Sequence, residues 1–587
     1  MNKKFIAILV NVFVIIGIAA MIWPAAAAVT EVSITSPSTL TFYKPGDTPT
    51  LKFTVVADTA GTADFYFRIG SESSPIYQTL GGQGCEGRTL ESGTNTIQVQ
   101  PTILTSTADG RYDLFVKLRQ PPTELGTWAS TTATNIIGVD GTAPTSAATI
   151  AQTAYNASAW NHDSTINGTV SDGAGSGVAT VKITIKDNTD TKYWDGDSWE
   201  SLSTDLTSTL STNTWTYNFD DTHLTNGHNY TVTPTATDNL GNSAQGTADS
   251  FTYDTTAPAA FTVGSVITTG GNIVAGYWNS TNTGVNITVP IANDSSLSGG
   301  TIQIQAKVDT GDFQNIGGTV PIATINTNQT VSITAGQLEG LTDFGDGKTI
   351  TFTAIITDIA GNSTTGSASA TTLSVDQTVP TAPTIGTFTA TDGTVTGGYI
   401  NSTNTSFTQK FTSPSNNYDG TAHLYFNSEP GYGGLDFTTP ITIAVTAGNQ
   451  EYTLTGDATS ISQLGADSDK YLTVVIVDAA GNPSPASSAV TVHKDTTAPS
   501  FSSVILGGTG ADEYINASEV DNVHIAITTT GVENGQVVSC TITDSVAGSI
   551  GPKTATITSN TATINAGDLS SLAEGVLTAN CAVSDVA

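Results

Sequence analysis

A five-residue motif, D-x-T-A-P or a close variant, recurs along this sequence at nearly even intervals. It reads DGTAP at 140–144, DTTAP at 254–258, DQTVP at 376–380 and DTTAP at 495–499, so successive copies begin 114, 122 and 119 residues apart. Repetition at a fixed interval indicates an array of similar folding units. A chain of 587 residues is also too long for one hydrophobic core. The proline stiffens each motif, which predicts short, stiff linkers between units.

Two further motifs accompany these boundaries. The first, D-x-A-G-N or D-x-L-G-N, begins at Asp238, Asp358 and Asp478, which lie 16, 18 and 17 residues before the next boundary. Gly and Asn tolerate positive φ and Asp caps its own backbone, so this motif predicts a turn. The second follows each boundary by some twenty residues and reads AWNHDST, GYWNSTNT, GYINSTNT and EYINASE, with its asparagine at Asn161, Asn279, Asn401 and Asn516.

Between these motifs, apolar and polar residues alternate with a period of two. Segments such as YTVTPTATD, ITFTAIITD and VKITIKD have the pattern of strands with one buried face and one exposed face. Helical periodicity is almost absent. Units of about 100 to 120 residues with about seven such strands are typical of immunoglobulin-like β-sandwiches. The sequence therefore predicts an all-β protein, a tandem array of immunoglobulin-like β-sandwich domains after an N-terminal signal or anchor helix.

The predicted domain boundaries follow the motifs. They are 1–28 for a signal peptide or anchor, 29–139 for a divergent sandwich, 140–253, 254–375 and 376–494 for three clear repeats, and 495–587 for an incomplete repeat. The last repeat is predicted to be incomplete because Asp585 aligns with the first residue of a D-x-A-G-N turn whose Gly and Asn do not follow. We therefore expect the chain to be a C-terminally truncated fragment.

The first 28 residues predict export. Lys3 and Lys4 precede an apolar run from Phe5 to Trp23, and Ala26 and Ala28 form a signal-peptidase pattern. The apolar run is longer than a usual signal core, so an uncleaved membrane anchor is the alternative. Both readings place the rest of the chain outside the membrane, secreted or at the cell surface.

Charge excludes several classes of partner. With 18 Lys and Arg against 51 Asp and Glu, the formal net charge is −33. Nucleic acid and anionic lipid need clustered basic residues, so neither is an expected partner, and membrane contact is expected only through an uncleaved N-terminal segment. Divalent cations are compatible with this charge. Within the sequence no G-x-S-x-G, H-E-x-x-H, phosphate-loop or C-x-x-C motif occurs, so we expect no enzyme.

The D-x-A-G-N turn, the D-x-T-A-P boundary and the segment SDGAGSGVATVKITI at 171–185 resemble the bacterial immunoglobulin-like repeats of large surface proteins and adhesins. The resemblance covers residues 144–587 well and residues 29–139 in outline. It implies a non-enzymatic cell-surface stalk, part of an adhesin-like protein that binds a protein or glycan ligand. The alternatives are a spacer in a larger secreted enzyme acting on polysaccharide, and a surface-layer or envelope protein. The resemblance also implies that Ca²⁺ stiffens some junctions.

Calcium is accordingly the best-supported candidate ligand, since it prefers carboxylate and carbonyl oxygens. We expect each turn to lie near the linker that leaves its unit. The candidate ligand pairs are then Asp238 with Asp254, Asp358 with Asp376, and Asp478 with Asp495, while Asp140 has no such partner. The alternative is that each aspartate only caps a turn or a linker. No cofactor is otherwise required.

The three cysteines are Cys85, Cys540 and Cys581. By alignment with the other repeats, Cys540 and Cys581 fall on strands that are neighbours in one sheet of an immunoglobulin-like sandwich. In an exported protein we expect them to form a disulfide, with two buried thiols as the alternative. Cys85 is expected to be an unpaired loop residue.

Two remaining features have plainer explanations. His223 and His228, in HLTNGH, are interpreted as loop residues rather than a metal site. The aromatic hairpin KYWDGDSWESL contains Tyr193, Trp194 and Trp199, which either stack on a sugar or pack against the sandwich. Packing is the more common role of such hairpins.

Overall fold

The computed structural model describes residues 29–71, 74–75, 77–78, 88–119, 130–415, 419–428, 435–508 and 514–587. The predicted signal or anchor segment and Cys85 lie outside these residues. The described chain is all-β, as predicted, with strands in many small sheets and only short helices. None of its helices combines the length and apolar character that crossing a bilayer requires.

The chain divides into two compact units. The first runs to Pro258 and includes Ser296–Gly300 and Thr357–Ser363, and the second contains Ala259–Ser295, Thr301–Ile356 and Thr364–Ala587. The first unit contains two sandwiches and a turn region from the third. The second unit contains the rest of the third sandwich and two more.

The first sandwich, in the first unit, has a core built by strict alternation. In the strand LKFTVVA the side chains of Leu51, Phe53, Val55 and Ala57 are buried and the residues between them are more exposed. One sheet has the strand order β1-β3-β8, and the other has β2-β11-β10-β4-β5. The strands are β1 Val29–Ser36, β2 Thr41–Tyr43, β3 Leu51–Ala57, β4 Gly61–Ser71, β5 Ser74–Pro75, β6 Tyr77–Gln78, β7 Arg88–Leu90, β8 Gly93–Val99, β9 Thr102–Ile103, β10 Gly110–Arg119 and β11 Ser130–Val139.

The second sandwich, also in the first unit, has an aromatic core. The Trp160 ring stacks on Phe251 at 4.4 Å. Trp215 is fully buried, and a Cβ at Gly168 would lie 2.2 Å from its ring, so only glycine fits there. Its elements are β12 Thr145–Thr149, β13 Ala154–Tyr155, α1 Ala157–Asp163, β14 Thr165–Ser171, β15 Val178–Asp187, β16 Lys192–Trp194, β17 Trp199–Glu200, β18 Leu206–Thr207, β19 Thr209–Ser211, β20 Thr214–Asn218, a 3₁₀ turn Asp221–His223, β21 His228–Asp238, β22 Ser243–Gln245 and β23 Asp249–Tyr253.

The third sandwich repeats this plan with fewer insertions. Its sheets have the orders β24-β26-β29 and β25-β32-β30-β27-β28. Its elements are β24 Val266–Thr269, β25 Tyr277–Trp278, β26 Gly284–Ile291, a 3₁₀ turn Ser295–Leu297, β27 Thr301–Val308, β28 Gln314–Pro321, β29 Thr327–Thr334, α2 Ala335–Glu339, β30 Thr349–Thr357, β31 Ser363–Thr365 and β32 Leu373–Val375.

The fourth and fifth sandwiches belong to the second unit. The fourth has sheets β33-β35-β39 and β34-β41-β40-β36-β37, and the fifth has sheets β42-β43-β46 and β45-β44-β47. Their elements are β33 Thr384–Thr391, β34 Tyr399–Ile400, β35 Ser406–Thr412, β36 Gly420–Asn427, β37 Leu435–Asp436, β38 Thr442–Val445, β39 Glu451–Gly456, α3 Ala458–Gln463, β40 Ser468–Asp478, β41 Val490–Lys494, β42 Ser500–Gly507, β43 Val523–Thr530, β44 Val537–Thr543, β45 Ser549–Thr556, β46 Thr561–Gly567 and β47 Thr578–Val583.

Strand direction decides where the motifs lie. In the second sandwich the long strand β21 ends at the D-x-L-G-N turn, and the final strand β23 runs antiparallel to it, with Tyr253 opposite His228 at the start of β21. The final strand is also parallel to the short strand β13. The exit linker therefore leaves from one end of the sandwich, while the turn lies at the other end, beside the entry linker. The third and fourth sandwiches have the same arrangement.

Candidate functional site

Each linker begins with an aspartate that fixes its own turn. The carboxylate Oδ1 accepts a hydrogen bond from the backbone N–H of the threonine two residues on. The N–O distances are 3.2 Å for Asp140 and Thr142, 2.9 Å for Asp254 and Thr256, 3.2 Å for Asp376 and Thr378, and 3.1 Å for Asp495 and Thr497. The capping role that the sequence offered as the alternative to metal binding is thus present at all four linkers.

The preceding sandwich holds the linker in two places. The N–H of the linker aspartate donates to the residue that ends the short strand, at 3.0 Å for Asp140 to Tyr43 and 2.9 Å for Asp254 to Tyr155. The carbonyls of Trp278 and Ile400 play the same part in the next two sandwiches, each at 2.9 Å. The next N–H of the linker is bonded by a side chain that we call the exit clamp.

The exit clamp is an aspartate or asparagine that lies just before the long strand. Its side-chain oxygen accepts the N–H of the second linker residue at 2.6 to 2.9 Å. The pairs are Asp109 with Gly141, Asn226 with Thr255, Asp346 with Gln377, and Asp467 with Thr496. The three recurring motifs do not predict these residues. Their signal is the recurring ADG, TNG, GDG and ADS immediately before the long strand.

Asp467 is the most heavily bonded exit clamp. Its carboxylate accepts from the Thr496 N–H, from the Thr496 and Thr497 hydroxyls and from Lys494 Nζ. Burial alone would raise the pKa of Asp467, but the hydrogen bonds from Thr496, Lys494 and Thr497 outweigh it and lower this pKa to about 2. Because the folded-state pKa is depressed, the stability that Asp467 contributes is complete above about pH 4 and is lost as the pH falls towards 2.

The following sandwich holds the linker from the other side. The asparagine that closes the D-x-A-G-N turn donates through Nδ2 to the carbonyl of the linker aspartate. The N–O distances are 3.2 Å for Asn242 to Asp140, 2.8 Å for Asn362 to Asp254, and 2.9 Å for Asn482 to Asp376. Each linker in this set is therefore bonded by both of its neighbours.

The turn aspartate orients that asparagine. Asp358 accepts the Asn362 N–H at 2.9 Å and the Asn362 Nδ2 at 3.0 Å, and it is 4% exposed. Asp238 and Asp478 make the same pair of bonds with Asn242 and Asn482. A buried carboxylate with these donors is satisfied, so its first role is to position the asparagine.

The prediction that each turn aspartate lies beside the linker that leaves its own sandwich is wrong. Asp254 follows β23, at the end of the sandwich where β21 begins, whereas Asp238 ends β21. Eleven residues of strand separate the two positions by about 30 Å. The same geometry separates Asp358 from Asp376 and Asp478 from Asp495. Each turn instead meets the linker that enters its own sandwich, so Asp140, predicted to lack a partner, is close to Asp238.

Carboxylates crowd at this meeting point. Single oxygen atoms of Asp140, Asp172 and Asp238 all lie within 4.8 Å of one another. Burial, followed by the charges of Asp140, Asp238 and Asp109, raises the pKa of Asp172. Asp140 and Asp172 border a cavity of about 360 Å³ that Asp109, Gly173 and Gly175 also line. Hard oxygen donors around such a cavity have the chemistry that Ca²⁺ prefers.

Carboxylates also lie near one another at two later junctions. Burial and then the charge of Asp478 raise the pKa of Asp376. Burial and then the charges of Asp495 and Glu533 raise the pKa of Asp585. Among the described residues, however, the junction at Asp140 is the one whose linker, turn and loop bring three carboxylates within 4.8 Å of one another.

Cys540 and Cys581 face each other across strands β44 and β47 in one sheet of the fifth sandwich. They are joined in a disulfide with a Cα–Cα distance of 4.0 Å. The repeat alignment placed the two residues on neighbouring strands, which is where the structure has them.

The histidines and the aromatic hairpin have structural contacts in the second sandwich. His228 Nδ1 lies 2.7 Å from Asp187 Oδ2, and the His223 ring packs on Trp194 with centroids 4.3 Å apart. Asp190 completes a group with Asp187 and His228, whose ligand atoms lie within 4.8 Å of one another. Trp194 is buried, and Trp199 donates to the carbonyl of His223. The hairpin therefore packs into the core.

The alignment of the asparagine motif after the first boundary, DGTAP at 140–144, names the wrong residue. Asn161 lies inside α1 and donates to Asp221. The counterpart of Asn279 and Asn401 is Asn156, because it directly follows Tyr155, whose carbonyl bonds the linker aspartate. Its side chain caps α1 by accepting from the Ala159 N–H at 2.8 Å.

No protein-family model and no curated protein matches this sequence. Among solved structures, the chain is similar to one described as a Ca²⁺-stabilized adhesin that helps an Antarctic bacterium reach out and bind ice. The two are 20% identical over 76% of this chain and 99% of that one, with a TM-score of 0.24. A tetra-tandem repeat from the extending region of a large adhesion protein is 19% identical over 76% of this chain and 100% of that one, with a TM-score of 0.18.

Domains FN1–FN3 of chicken CNTN1 are also similar, at 13% identity over 57% of this chain and 95% of that one, with a TM-score of 0.23. The structural neighbours thus include repeat domains of bacterial adhesins and fibronectin-type domains. At these identities and TM-scores, the matches do not identify a function for this chain.

Proposed function

We propose that this chain is a non-enzymatic extracellular stalk of tandem immunoglobulin-like domains, part of a cell-surface adhesin-like protein. The observation that carries the proposal is the linker bonded by both of its neighbours. Three linkers combine an aspartate turn, two hydrogen bonds to the preceding sandwich and one to the turn of the following sandwich. A flexible tether would leave these backbone groups to water.

Stiff joints are useful to a stalk because they fix reach. Hydrogen bonds of this kind each contribute about 0.5–1.5 kcal/mol, so several at one linker disfavour bending there. The low proportion of charged residues, 12%, and the net charge of −33 favour solubility outside the cell. The sequence resemblance to bacterial immunoglobulin-like repeats supports the same role.

The proposal predicts an extended particle in solution. If the five sandwiches, each about 40 Å long, are joined end to end as a stalk, residues 29–587 have a maximum dimension of about 200 Å. Small-angle X-ray scattering measures this dimension directly. A maximum dimension near 100 Å, with a compact scattering profile, would contradict the stalk.

Calcium binding at the first junction is a second candidate function. The observation that favours it is the group of Asp140, Asp172 and Asp238, whose carboxylate oxygens lie within 4.8 Å of one another. A bound Ca²⁺ would offset the repulsion among the three carboxylates and link the linker to the loop of the second sandwich. Asp254, Asp358, Asp376, Asp478 and Asp495 are weaker ligand candidates, since no three carboxylates at their junctions lie within 4.8 Å of one another among the described residues.

We expect millimolar Ca²⁺ to raise the melting temperature of the second sandwich by several degrees, and a chelator to reverse the change. Asp172→Asn is expected to abolish the shift, while Asp205→Asn, on an exposed ion pair with Lys182, keeps it. Differential scanning calorimetry follows both variants. If the melting temperatures with Ca²⁺ and with chelator coincide for the unsubstituted chain, the calcium proposal is wrong.

A further inference from the structure

We propose that a loop of the third sandwich is a receptor for the D-x-A-G-N turn of the fourth. The receptor consists of Asn272 and the N-S-T-N loop, Asn279–Asn282. The biological role of this contact rests on the proposed stalk, because the receptor and the turn form one of the joints of the stalk. The partner is a turn of this chain, recognised through its backbone.

The receptor is folded by its own hydrogen bonds. The Asn279 N–H donates to Asn282 Oδ1 at 2.9 Å, and Asn279 Oδ1 accepts from both the N–H and the hydroxyl of Thr281 at 3.0 and 2.7 Å. Asn282 Nδ2 donates to the Gly270 carbonyl at 3.0 Å. These bonds fix the Asn279 side chain, whose Nδ2 donates one hydrogen bond to the Asn272 carbonyl at 2.7 Å and one to the turn.

Three contacts join the receptor to the turn. Asn279 Nδ2 donates to the Ala480 carbonyl at 2.6 Å, and Asn272 Nδ2 donates to the Gly481 carbonyl at 2.8 Å. The Ser280 N–H donates to Asn482 Oδ1 at 2.7 Å. Two of these acceptors are backbone carbonyls and the third is the asparagine that closes the motif. The receptor therefore recognises the A-G-N portion that the motif repeats.

The turn glycine explains why the fit is close. Gly481 has φ +98°, and a Cβ placed there would lie 2.7 Å from Asn279 Nδ2. Glycine at this position thus allows the positive φ of the turn and leaves room for the Asn279 side chain to approach the backbone. Asn279 and Asn482 are both fully buried at this contact. Asn482 consequently joins the receptor, the Asp376 carbonyl and its own turn aspartate through one amide group.

The fourth sandwich contains the same loop without this contact. Asn401 receives the same internal support, with its N–H donated to Asn404 Oδ1 at 2.8 Å and its Oδ1 accepting from Thr403. Its Nδ2 donates to the Thr394 carbonyl at 2.9 Å, as Asn279 Nδ2 does to the Asn272 carbonyl at 2.7 Å. In the described part of the chain, the hydrogen bonds of Asn401 all stay within its own loop.

The second sandwich has a reduced version of the contact. The backbone N–H of Asn156 donates to the Ala360 carbonyl at 3.1 Å, while its side-chain oxygen caps α1. Helix capping thus occupies the oxygen that in Asn279 supports the loop. The bond described at this contact has a backbone donor, whereas the receptor of the third sandwich binds the turn through the side-chain donors of Asn272 and Asn279.

The pair Asn279 and Asn401 provides the test. Asn279→Ala and Asn401→Ala remove the same loop support, but only the first removes a contact with the turn. In residues 29–587, hydrogen exchange of residues 478–482 is expected to be about tenfold faster in the Asn279→Ala variant. Exchange of the same residues is expected to be unchanged in the Asn401→Ala variant. Mass spectrometry of peptides spanning 478–482 measures both rates.

Asn279→Asp is a second variant that separates loss of the contact from loss of the loop fold. It keeps the side-chain oxygen that accepts from Thr281 and removes the donor to the Ala480 carbonyl. It is expected to accelerate exchange of 478–482 as Asn279→Ala does. Unchanged exchange there in both Asn279 variants, with acceleration confined to residues 272–282, would overturn the receptor. A compact scattering profile together with accelerated exchange would instead overturn the stalk and leave the receptor in place.

Discussion

Replacing Cys540 and Cys581 together with alanine is expected to lower the free energy of unfolding of the fifth sandwich by about 4 kcal/mol. The disulfide closes a loop with a sequence separation of 41 residues, and its loss returns the corresponding conformational entropy to the unfolded chain. Hydrogen exchange of residues 29–587 across a urea series, read by mass spectrometry of peptides from residues 500–583, resolves this transition from the others.

The reduced, unsubstituted protein serves as the control for side-chain packing. Reduction breaks the disulfide but keeps the buried Cys540 side chain in the core, so it should produce most of the destabilisation seen in the double variant. Mass mapping without reductant that found two free thiols, or a double variant as stable as the oxidised protein, would contradict the disulfide.

Asp358→Ala is expected to destabilise the third sandwich by about 3 kcal/mol. The substitution leaves the N–H and the Nδ2 of Asn362 without their buried, charged acceptor, and each such bond is worth about 1.5–3 kcal/mol. It also frees Asn362 from the position in which it bonds the Asp254 carbonyl. Calorimetry should show a lower transition temperature for that sandwich.

Asp254→Ala is the matched comparison at the same junction. It removes one side-chain acceptor, for the Thr256 N–H at the exposed linker, so we expect a loss of about 1 kcal/mol. The order of the two effects matters more than either value. Equal destabilisation by the two variants would show that the turn aspartate is an ordinary cap, without a special role in positioning Asn362.

Much of the fold could be predicted from sequence because the repeats and the period-two alternation are local signals. The linker aspartates were also predictable as caps, since Asp followed by Thr and Pro has few other backbone options. The pairing of turns with linkers was not predictable from spacing. Asp238 lies only 16 residues before Asp254, yet the reversal between β21 and β23 carries the chain to the opposite end of the sandwich.

The exit clamps and the counterpart of Asn279 were not predicted from the sequence, for different reasons. The exit clamps stand in ADG, TNG, GDG and ADS, which are ordinary turn signals, and only the folded linker shows what Asp109 or Asp467 bonds. Asn161 was aligned with Asn279 because α1 lies between the true counterpart, Asn156, and strand β14. A short helix inserted into a repeat shifts a motif by several residues without changing its composition.

The central claim is that the turn asparagines help fix the conformation of the linkers. Small-angle scattering of residues 29–587 and of the triple variant Asn242→Ala, Asn362→Ala and Asn482→Ala tests it most directly. We expect a maximum dimension of about 200 Å for the unsubstituted chain, and a broader, shorter distance distribution for the variant, with every sandwich still folded by circular dichroism. Identical distributions for the two proteins would contradict the account.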